Sequence, residues 1–202
     1  MRDVDNIRAL EKLDIDWMGF IFYSGSPRYV PDVDEYCAAI QSCAKIRVGV
    51  FVNDQPMEIL WRVVKYKLNY VQLHGDETPK FCCRLRDTGC SIIKAFSVSP
   101  DMDFQHTSAY EPFVDYFLFD TKDAERGGTG KRFDWSVLQA YQGNTPFLLS
   151  GGIAPEHIED LLELRHPLMT GIDLNSRFEL SPALKDIEKI EQFTGILRKS
   201  LM

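Results

Sequence analysis

The chain has 202 residues, a length typical of one domain, and 45% of them are hydrophobic, which excludes disorder along the whole chain. With 23 basic and 30 acidic side chains, its formal net charge is −7. An acidic chain without a basic stripe binds nucleic acid and anionic membranes poorly, so we expect neither as a partner.

No segment has the length of a membrane span or the pattern of a signal peptide. The cysteines are odd in number and irregularly spaced: Cys37, Cys43, Cys82, Cys83 and Cys90. We interpret them as free thiols in a reducing cytosol, not as disulfides or metal ligands. We therefore expect a cytoplasmic protein.

Helix and strand patterns alternate from the start of the chain. Residues 3–13 predict a helix with Asp3 as its N-cap, and the apolar run 17–22 is typical of a strand buried on both faces. Asn53 and Asp54 are the predicted caps of the third helix. Further strands are predicted over 46–52, 70–73, 92–96, 116–119, 146–149 and 171–174, and further helices over 33–43, 55–67, 78–88, 102–110, 134–141, 155–164 and 184–199.

The alternation predicts an α/β fold, a TIM (β/α)8 barrel that forms a single domain over residues 1–202. Seven predicted strands accompany eight predicted helices, whereas every helix of such a barrel follows a strand. We therefore expect that the first strand of the barrel is missing from this chain and that two sheet edges are exposed. A doubly wound parallel sheet is the alternative, since periodicity alone does not close a barrel.

Polar and glycine-rich loops follow the last two predicted strands. Gly151 and Gly152 come after one strand, Asp173 lies near the end of the next strand, and Asn175 and Ser176 follow that strand. In such barrels the loops after the strands form the active site, and those after the last strands commonly bind phosphate. Glycines also let backbone N–H groups approach an anion closely. We predict a phosphate site here; the alternative is that the two glycines only form a tight turn.

Other polar residues lie at earlier strand ends. Asp120 ends an apolar strand and is placed for proton transfer, unless it caps a helix or pairs with a lysine of the following loop. The planar guanidinium of Arg28 suits a carboxylate, and a solvated loop arginine is the alternative. His74, which follows Gln72, is a candidate acid or base, or a structural histidine bonded to its own loop.

Several motifs occur in the order of one family. They are Gly19-Phe20-Ile21-Phe22, Ser26-Pro27-Arg28-Tyr29-Val30, Val48-Gly49-Val50-Phe51-Val52, Val71-Gln72-Leu73-His74-Gly75, Phe119-Asp120-Thr121, Gly127-Gly128-Thr129-Gly130-Lys131, Ser150-Gly151-Gly152-Ile153 and Gly171-Ile172-Asp173-Leu174. On these motifs, which cover nearly the whole chain, it resembles the N-(5'-phosphoribosyl)anthranilate isomerases of tryptophan biosynthesis.

The resemblance implies an aldose–ketose isomerase that performs an Amadori rearrangement on a small phosphorylated substrate and needs no metal or organic cofactor. It implies that Asp120 is the general acid and that Arg28 holds the anthranilate carboxylate. The implied phosphate contacts are Gly151, Gly152, Asp173, Asn175 and Ser176, and the other implied substrate contacts are Gln72, His74 and Gly128.

Two positions depart from the family pattern. Arg177 stands where the family often has glycine. The family's first strand ends in a Lys-x-Cys-Gly-type motif whose cysteine is the general base, and this chain starts just after the corresponding position. We therefore expect the 202-residue chain to turn over far more slowly than a version extended by that strand. A non-catalytic barrel that binds phosphate or anthranilate is the alternative function.

A third hypothesis is another phosphate-binding barrel isomerase or epimerase, which needs metal ligands or a lysine at a strand end. Lys94, in the middle of a strand, is the candidate lysine if it faces inward. The oligomeric state stays open between a monomer and a homodimer. An exposed seam between the first and last strands could drive dimerisation, or the first helix could shift inward to fill it.

Overall fold

Seven parallel strands in sequence order carry the candidate site. The computed structural model describes residues 1–121 and 134–201. Its strands are β1 (Trp17–Ile21), β2 (Ile46–Phe51), β3 (Tyr70–Leu73), β4 (Ser91–Val98), β5 (Tyr116–Thr121), β6 (Phe147–Ser150) and β7 (Met169–Ile172). Each strand pairs in parallel with its sequence neighbours. This order is that of a TIM barrel and not of a doubly wound sheet, in which the strand order reverses.

Helices connect the strands and form the outer layer. The α-helices are α1 (Val4–Glu11), α2 (Asp34–Ser42), α3 (Pro56–Tyr66), α4 (Pro79–Arg86), α5 (Ile158–Glu163) and α6 (Ile187–Leu201). Short 3-10 helices cover Phe104–Ala109, Glu111–Phe113, Trp135–Ala140, Pro155–His157 and Ser176–Phe178. Helix α1 packs beside α2 and α6 and is not shifted into the sheet. None of the described helices combines the length and apolar character needed to cross a membrane.

The middle of the sheet is buried on both faces because successive side chains point to opposite sides. Phe117 and Phe119 of β5 point outward and pack against rings under the helices, including Tyr141. Leu118 lies between them and belongs to the inner cluster with Val48, Ile93 and Ala95. The continuous apolar runs of the sequence therefore correspond to strands that face two separate cores.

Aromatic rings close the amino-terminal end of the strands. Trp17 of β1 stacks on Tyr70 of β3 at a centroid distance of 4.8 Å, and the edge of Tyr116 of β5 meets Trp17 at 5.3 Å. All three come from odd-numbered strands, as the layered packing inside a TIM barrel requires.

Local capping agrees with the sequence at one helix and differs at another. Asp3 is the N-cap of α1, and its carboxylate accepts a hydrogen bond from the Asn6 backbone at 2.8 Å, as predicted. The prediction that Asn53 and Asp54 cap α3 is wrong, since Gln55 holds the N-cap position. Asn53 instead adopts φ 56°, and its side chain accepts a hydrogen bond from the Asp76 backbone at 2.8 Å. It thus joins the loops after β2 and β3.

A two-stranded antiparallel hairpin precedes the last helix. It consists of β8 (Glu179–Ser181) and β9 (Leu184–Lys185), so the predicted helix over 184–199 begins only at Ile187. The side chain of Asn6 donates to the Lys185 carbonyl and accepts from the Lys185 backbone N–H, both at 2.8 Å. These two bonds hold Lys185 in an extended conformation that its helical pattern does not reveal.

The sheet is open between β1 and β7 in the described part of the chain, because no other strand pairs with either of their free edges. Ile21 at the end of β1 forms one isolated parallel bridge with Tyr29 of the following loop. Gly19 in β1 and Thr170 in β7 are exposed, whereas all of β3 after Tyr70 is buried. The architecture is therefore a curled, incomplete barrel sheet. That a further strand belongs between these two edges stays a prediction.

Lys67 ends α3 in the left-handed conformation, with φ 49° and ψ 47°, and its side chain is exposed. Glycine adopts this conformation without the steric cost of about 1–2 kcal/mol that a side chain imposes. We expect Lys67→Gly to raise the free energy of unfolding by about 0.5–1 kcal/mol in urea denaturation. The exposed substitution Val64→Gly in the last turn of α3 is the matched control and should lower it by about 0.5 kcal/mol. Equal effects of the two substitutions would contradict the prediction.

Candidate active site

One cavity of about 1490 Å³ extends from the carboxyl ends of the strands along β1 and β7 to Trp17 and Tyr116 at the amino-terminal ends. Nine of the ten predicted site residues border it: Arg28, Gln72, His74, Asp120, Gly151, Gly152, Asp173, Asn175 and Ser176. The tenth, Gly128, lies outside the described residues, as does the rest of the loop over 122–133. Residues separated by up to about 150 positions in sequence thus meet in one space.

A polar chain leads to Asp120 at the end of β5. The amide nitrogen of Gln72 lies 3.0 Å from His74 Nδ1, and His74 Nε2 lies 3.4 Å from Asp120 Oδ2. An amide nitrogen only donates, so Nδ1 accepts and Nε2 carries the hydrogen that points to the carboxylate. His74 therefore contacts Asp120 and Gln72, which argues against a histidine bonded only to its own loop.

A buried ion pair holds the backbone on both sides of His74. The Lys94 ammonium donates to the Leu73 carbonyl at 3.2 Å and to the Gly75 carbonyl at 2.7 Å. It also lies 3.2 Å from the Glu77 carboxylate, which accepts from the Gly75 N–H at 3.0 Å. Lys94 does not border the cavity, so the hypothesis that it acts as an inward-facing lysine is wrong.

Two glycines directly after β6 have positive φ angles, 89° for Gly151 and 63° for Gly152. A Cβ on Gly151 would lie 1.9 Å from the Thr121 carbonyl oxygen and 2.7 Å from Asp120 Oδ1. The Thr121 hydroxyl lies 2.9 Å from the Ser150 carbonyl, so it ties the ends of β5 and β6 together. The glycines do form a tight turn, and this turn lies in close contact with Asp120, the candidate acid.

Asp173 faces the same turn from the end of β7. The Ser150 hydroxyl donates to Asp173 Oδ2 at 3.2 Å. Burial raises the pKa of the Asp173 carboxyl above its ordinary value, although the charge of Lys185 and the hydrogen bond from Ser150 act in the opposite direction. An ionised carboxylate repels a nearby anion. Because the raised pKa favours the neutral form of Asp173, this residue repels an anion less than an ordinary aspartate does.

Asp173→Asn is expected to be more stable than the wild type at neutral pH, by about 0.5–2 kcal/mol. A carboxyl whose folded pKa is raised contributes fully to stability only below its unfolded pKa of about 4, and loses that contribution as the pH rises through the folded value. Asparagine stays neutral, so the difference in unfolding free energy should be near zero at about pH 3–4 and grow toward about pH 8. Urea denaturation across this range measures it; a wild type that is more stable than the variant at the upper end would contradict it.

The guanidinium of Arg28 contacts a carboxylate of the hairpin. Arg28 Nε lies 3.0 and 2.8 Å from the two Glu179 oxygens, and Nη2 lies 2.6 Å from Oε2. Lys185 Nζ lies 3.3 Å from Glu179 Oε1. Burial alone would raise the pKa of the Glu179 carboxyl, but the hydrogen bond from Arg28 and the charge of Lys185 outweigh it, and the pKa lies below its usual range. Burial also lowers the pKa of Lys185 despite its carboxylate neighbours.

Sequence reasoning missed Glu179 and Lys185 because it placed the first in a loop and the second in a helix. The available signal was their opposite charges on either side of the Ser181-Pro182 turn, a position where cross-strand pairs form. Thr121, Lys94 and Glu77 were also missed as supports of the site.

All five cysteines lie away from the cavity. Cys37 and Cys82 are buried in α2 and α4, Cys83 is in α4, and Cys43 and Cys90 lie just before the amino-terminal ends of strands. No cysteine of this chain therefore reaches the candidate acid. Within the described ranges, no group of three or more His, Cys, Asp or Glu residues could hold a metal ion.

Comparisons with known proteins agree with this geometry. The family model for N-(5'-phosphoribosyl)anthranilate (PRA) isomerase matches residues 1–195. The isomerase of that name from Parabacteroides distasonis is 49% identical over 195 residues, covering 96% of this chain and 88% of the relative.

Two solved structures share the fold over almost their full lengths. A phosphoribosyl anthranilate isomerase in complex with reduced 1-(o-carboxyphenylamino)-1-deoxyribulose 5-phosphate matches with a TM-score of 0.84 and 29% identity, covering 98% of this chain and 95% of that one. Monomers generated from the dimeric isomerase of Thermotoga maritima match with a TM-score of 0.80 and 28% identity, covering 98% and 95%. Sequence, fold and the strand-end residues together assign this chain to the N-(5'-phosphoribosyl)anthranilate isomerase family.

Proposed function

We propose that the cavity binds N-(5'-phosphoribosyl)anthranilate and that the chain converts it to 1-(2-carboxyphenylamino)-1-deoxyribulose 5-phosphate, the Amadori rearrangement of tryptophan biosynthesis. The observation that carries the proposal is that Arg28, Asp120 and the Gly151-Gly152 turn border one cavity. A cation for the carboxylate, an acid and a phosphate turn are the groups that this substrate requires.

In the proposed reaction Asp120 protonates the ring oxygen of the sugar, and the bond from this oxygen to C1 breaks. The nitrogen lone pair forms an iminium ion at C1, and a base then removes the proton from C2. The resulting enolamine takes up a proton at C1 and loses the proton of its C2 hydroxyl group, so that the C2 carbonyl of the ketose forms. His74 stands next to Asp120 at 3.4 Å and is placed to return a proton to it. No cysteine borders the cavity, so we assign the acid and not the base.

The two charged ends of the substrate have separate places in the proposed complex. Arg28 binds the anthranilate carboxylate through its remaining N–H groups. The phosphate lies against Gly151, Gly152, Asn175 and Ser176 at the ends of β6 and β7. Gln72 contacts the ribose portion between them, and a contact from Gly128 is proposed on the family resemblance alone.

Two measurements test the proposal together. We expect the purified protein to bind the reduced carboxyphenylamino-deoxyribulose phosphate in calorimetry and to form the ketose product, quantified by chromatography with enzyme in excess. Binding without any product would favour the alternative, a non-catalytic barrel that holds phosphate and anthranilate. Absence of both binding and product would contradict the proposed function.

The protein is proposed to act in the cytoplasm as a monomer or homodimer. The Thermotoga maritima relative is described both as a dimer and as monomers generated from it. Light scattering over a range of protein concentrations separates the two states, and a stable assembly larger than a dimer would contradict both.

A further inference from the structure

Hydrogen bonds from neighbouring residues hold the backbone around Arg28. Arg2 Nη1 donates to the Tyr29 carbonyl at 2.8 Å and to the Pro27 carbonyl at 3.3 Å, one on each side of Arg28. The Arg28 backbone N–H donates to the Ser26 hydroxyl oxygen at 3.1 Å. The loop therefore presents the arginine from a defined position.

The guanidinium itself is fixed by Glu179. The carboxylate takes Nε and Nη2, and the Glu179 side chain is only 4% exposed against 21% for Arg28. No described residue accepts a hydrogen bond from Nη1, so this nitrogen and one hydrogen of Nη2 remain for a ligand. Two parallel N–H groups on one edge of a guanidinium match a planar carboxylate.

Lys185 connects this carboxylate to the loop after β7. Its ammonium lies 3.3 Å from Glu179 Oε1 and donates to the Asn175 side-chain oxygen at 2.9 Å. It also donates to the Asn175 carbonyl at 3.1 Å and the Leu174 carbonyl at 3.2 Å. The Lys185 side chain is 9% exposed, so these bonds form in a largely water-free environment.

We propose that Glu179 and Lys185 are a positioning pair: Glu179 orients Arg28 toward the substrate carboxylate, and Lys185 joins Glu179 to the Asn175 loop that contacts the phosphate. The inference rests on the proposed function of Arg28 and deepens it. Because Glu179 contacts Arg28 and Lys185 contacts the Asn175 loop, the carboxylate site and the phosphate site both depend on this ion pair. A ligand that carries a carboxylate and a phosphate therefore meets two sites that are already oriented relative to each other.

The test compares two ligands that differ in one group. They are the reduced carboxyphenylamino-deoxyribulose phosphate and the same compound with phenyl in place of carboxyphenyl. Arg28→Met should reduce the advantage of the carboxylate ligand about 30–100-fold. Glu179→Gln should reduce it about tenfold, the equivalent of one charge-assisted hydrogen bond. A general loss of structure would weaken both ligands alike and leave their ratio unchanged.

A double variant decides whether Glu179 acts through Arg28. In the Arg28→Met background, Glu179→Gln should have no further effect on the ligand ratio. Lys185→Met should raise the dissociation constant of inorganic phosphate titrated alone, because the Asn175 loop loses its anchor. Leu180→Gln, on the exposed face of the same hairpin, is the control and should change neither measurement.

Removal of Glu179 leaves two cations in a largely buried space, so Glu179→Asp serves if the glutamine variant does not fold. The aspartate keeps the charge but withdraws it by one methylene, and it should still lower the ligand ratio. If Arg28→Met lowers the ligand ratio but the two Glu179 variants leave it unchanged, the inference is overturned and the proposed function stays intact. An equal effect of Glu179→Gln with and without Arg28 overturns it as well. No effect of Arg28→Met would overturn the proposed carboxylate site together with the inference.

Discussion

Asp120→Asn should slow the isomerisation about 10²–10⁴-fold while the affinity for the reduced product stays unchanged. Asparagine has the shape of aspartate and fits against Gly151, which leaves no room for a larger group near Oδ1. It has no proton to give to the ring oxygen at neutral pH. Single-turnover measurements with enzyme in excess resolve slow rates, and calorimetry gives the affinity.

The matched control is Asp76→Asn, which removes a carboxylate from an exposed loop position after β3 that does not border the cavity. This variant should keep both rate and affinity. If Asp120→Asn kept the wild-type rate, another group would have to supply the proton, and the assignment of Asp120 would be wrong. A loss of affinity equal to the loss of rate would instead make Asp120 a binding residue.

Gly151→Ala is expected to destabilise the protein by about 3–5 kcal/mol and to abolish phosphate binding. The new Cβ would lie 1.9 Å from the Thr121 carbonyl oxygen and 2.6 Å from the Thr121 nitrogen, both backbone atoms of β5. The ends of β5 and β6 would have to separate, which displaces Asp120 and the phosphate turn at once. Urea denaturation measures the stability, and titration with inorganic phosphate measures the site.

Gly89→Ala separates the two causes of this effect. Gly89 has φ 91°, nearly the same angle as Gly151, but a Cβ there would meet nothing within 4 Å. It should therefore cost only the backbone strain, about 1–2 kcal/mol. If Gly151→Ala were no more destabilising than Gly89→Ala, the close approach of β6 to Thr121 would not be the reason for the glycine.

The positions at strand ends were predictable because the apolar runs in the sequence show where each strand ends. Asp120 lies at the end of β5, Gly151 and Asp173 directly follow β6 and β7, and parallel strands place their carboxyl ends at one edge. The roles of these residues stay predictions that the variants above test. The missing first strand also stays a prediction, and the described sheet is open between β1 and β7.

Contacts between residues that are distant in sequence were not predictable. Arg28 and Glu179 are separated by 151 residues, and Asn6 and Lys185 by 179. The helical pattern around Lys185 is misleading because two hydrogen bonds between its backbone and the Asn6 side chain hold it extended. Tertiary contacts of this kind override local preference wherever they satisfy buried backbone groups.

The sequence by itself determined the parallel barrel architecture, the family and the edge of the sheet at which the site lies, since these depend on periodicity and on motifs along the chain. Only the tertiary structure decided which groups touch. It placed His74 on Asp120, tied Arg28 to Glu179 and joined Glu179 through Lys185 to the Asn175 loop. The physical reason is that a charge removed from water needs a partner at hydrogen-bond distance, and the folded backbone alone determines which partner is within reach.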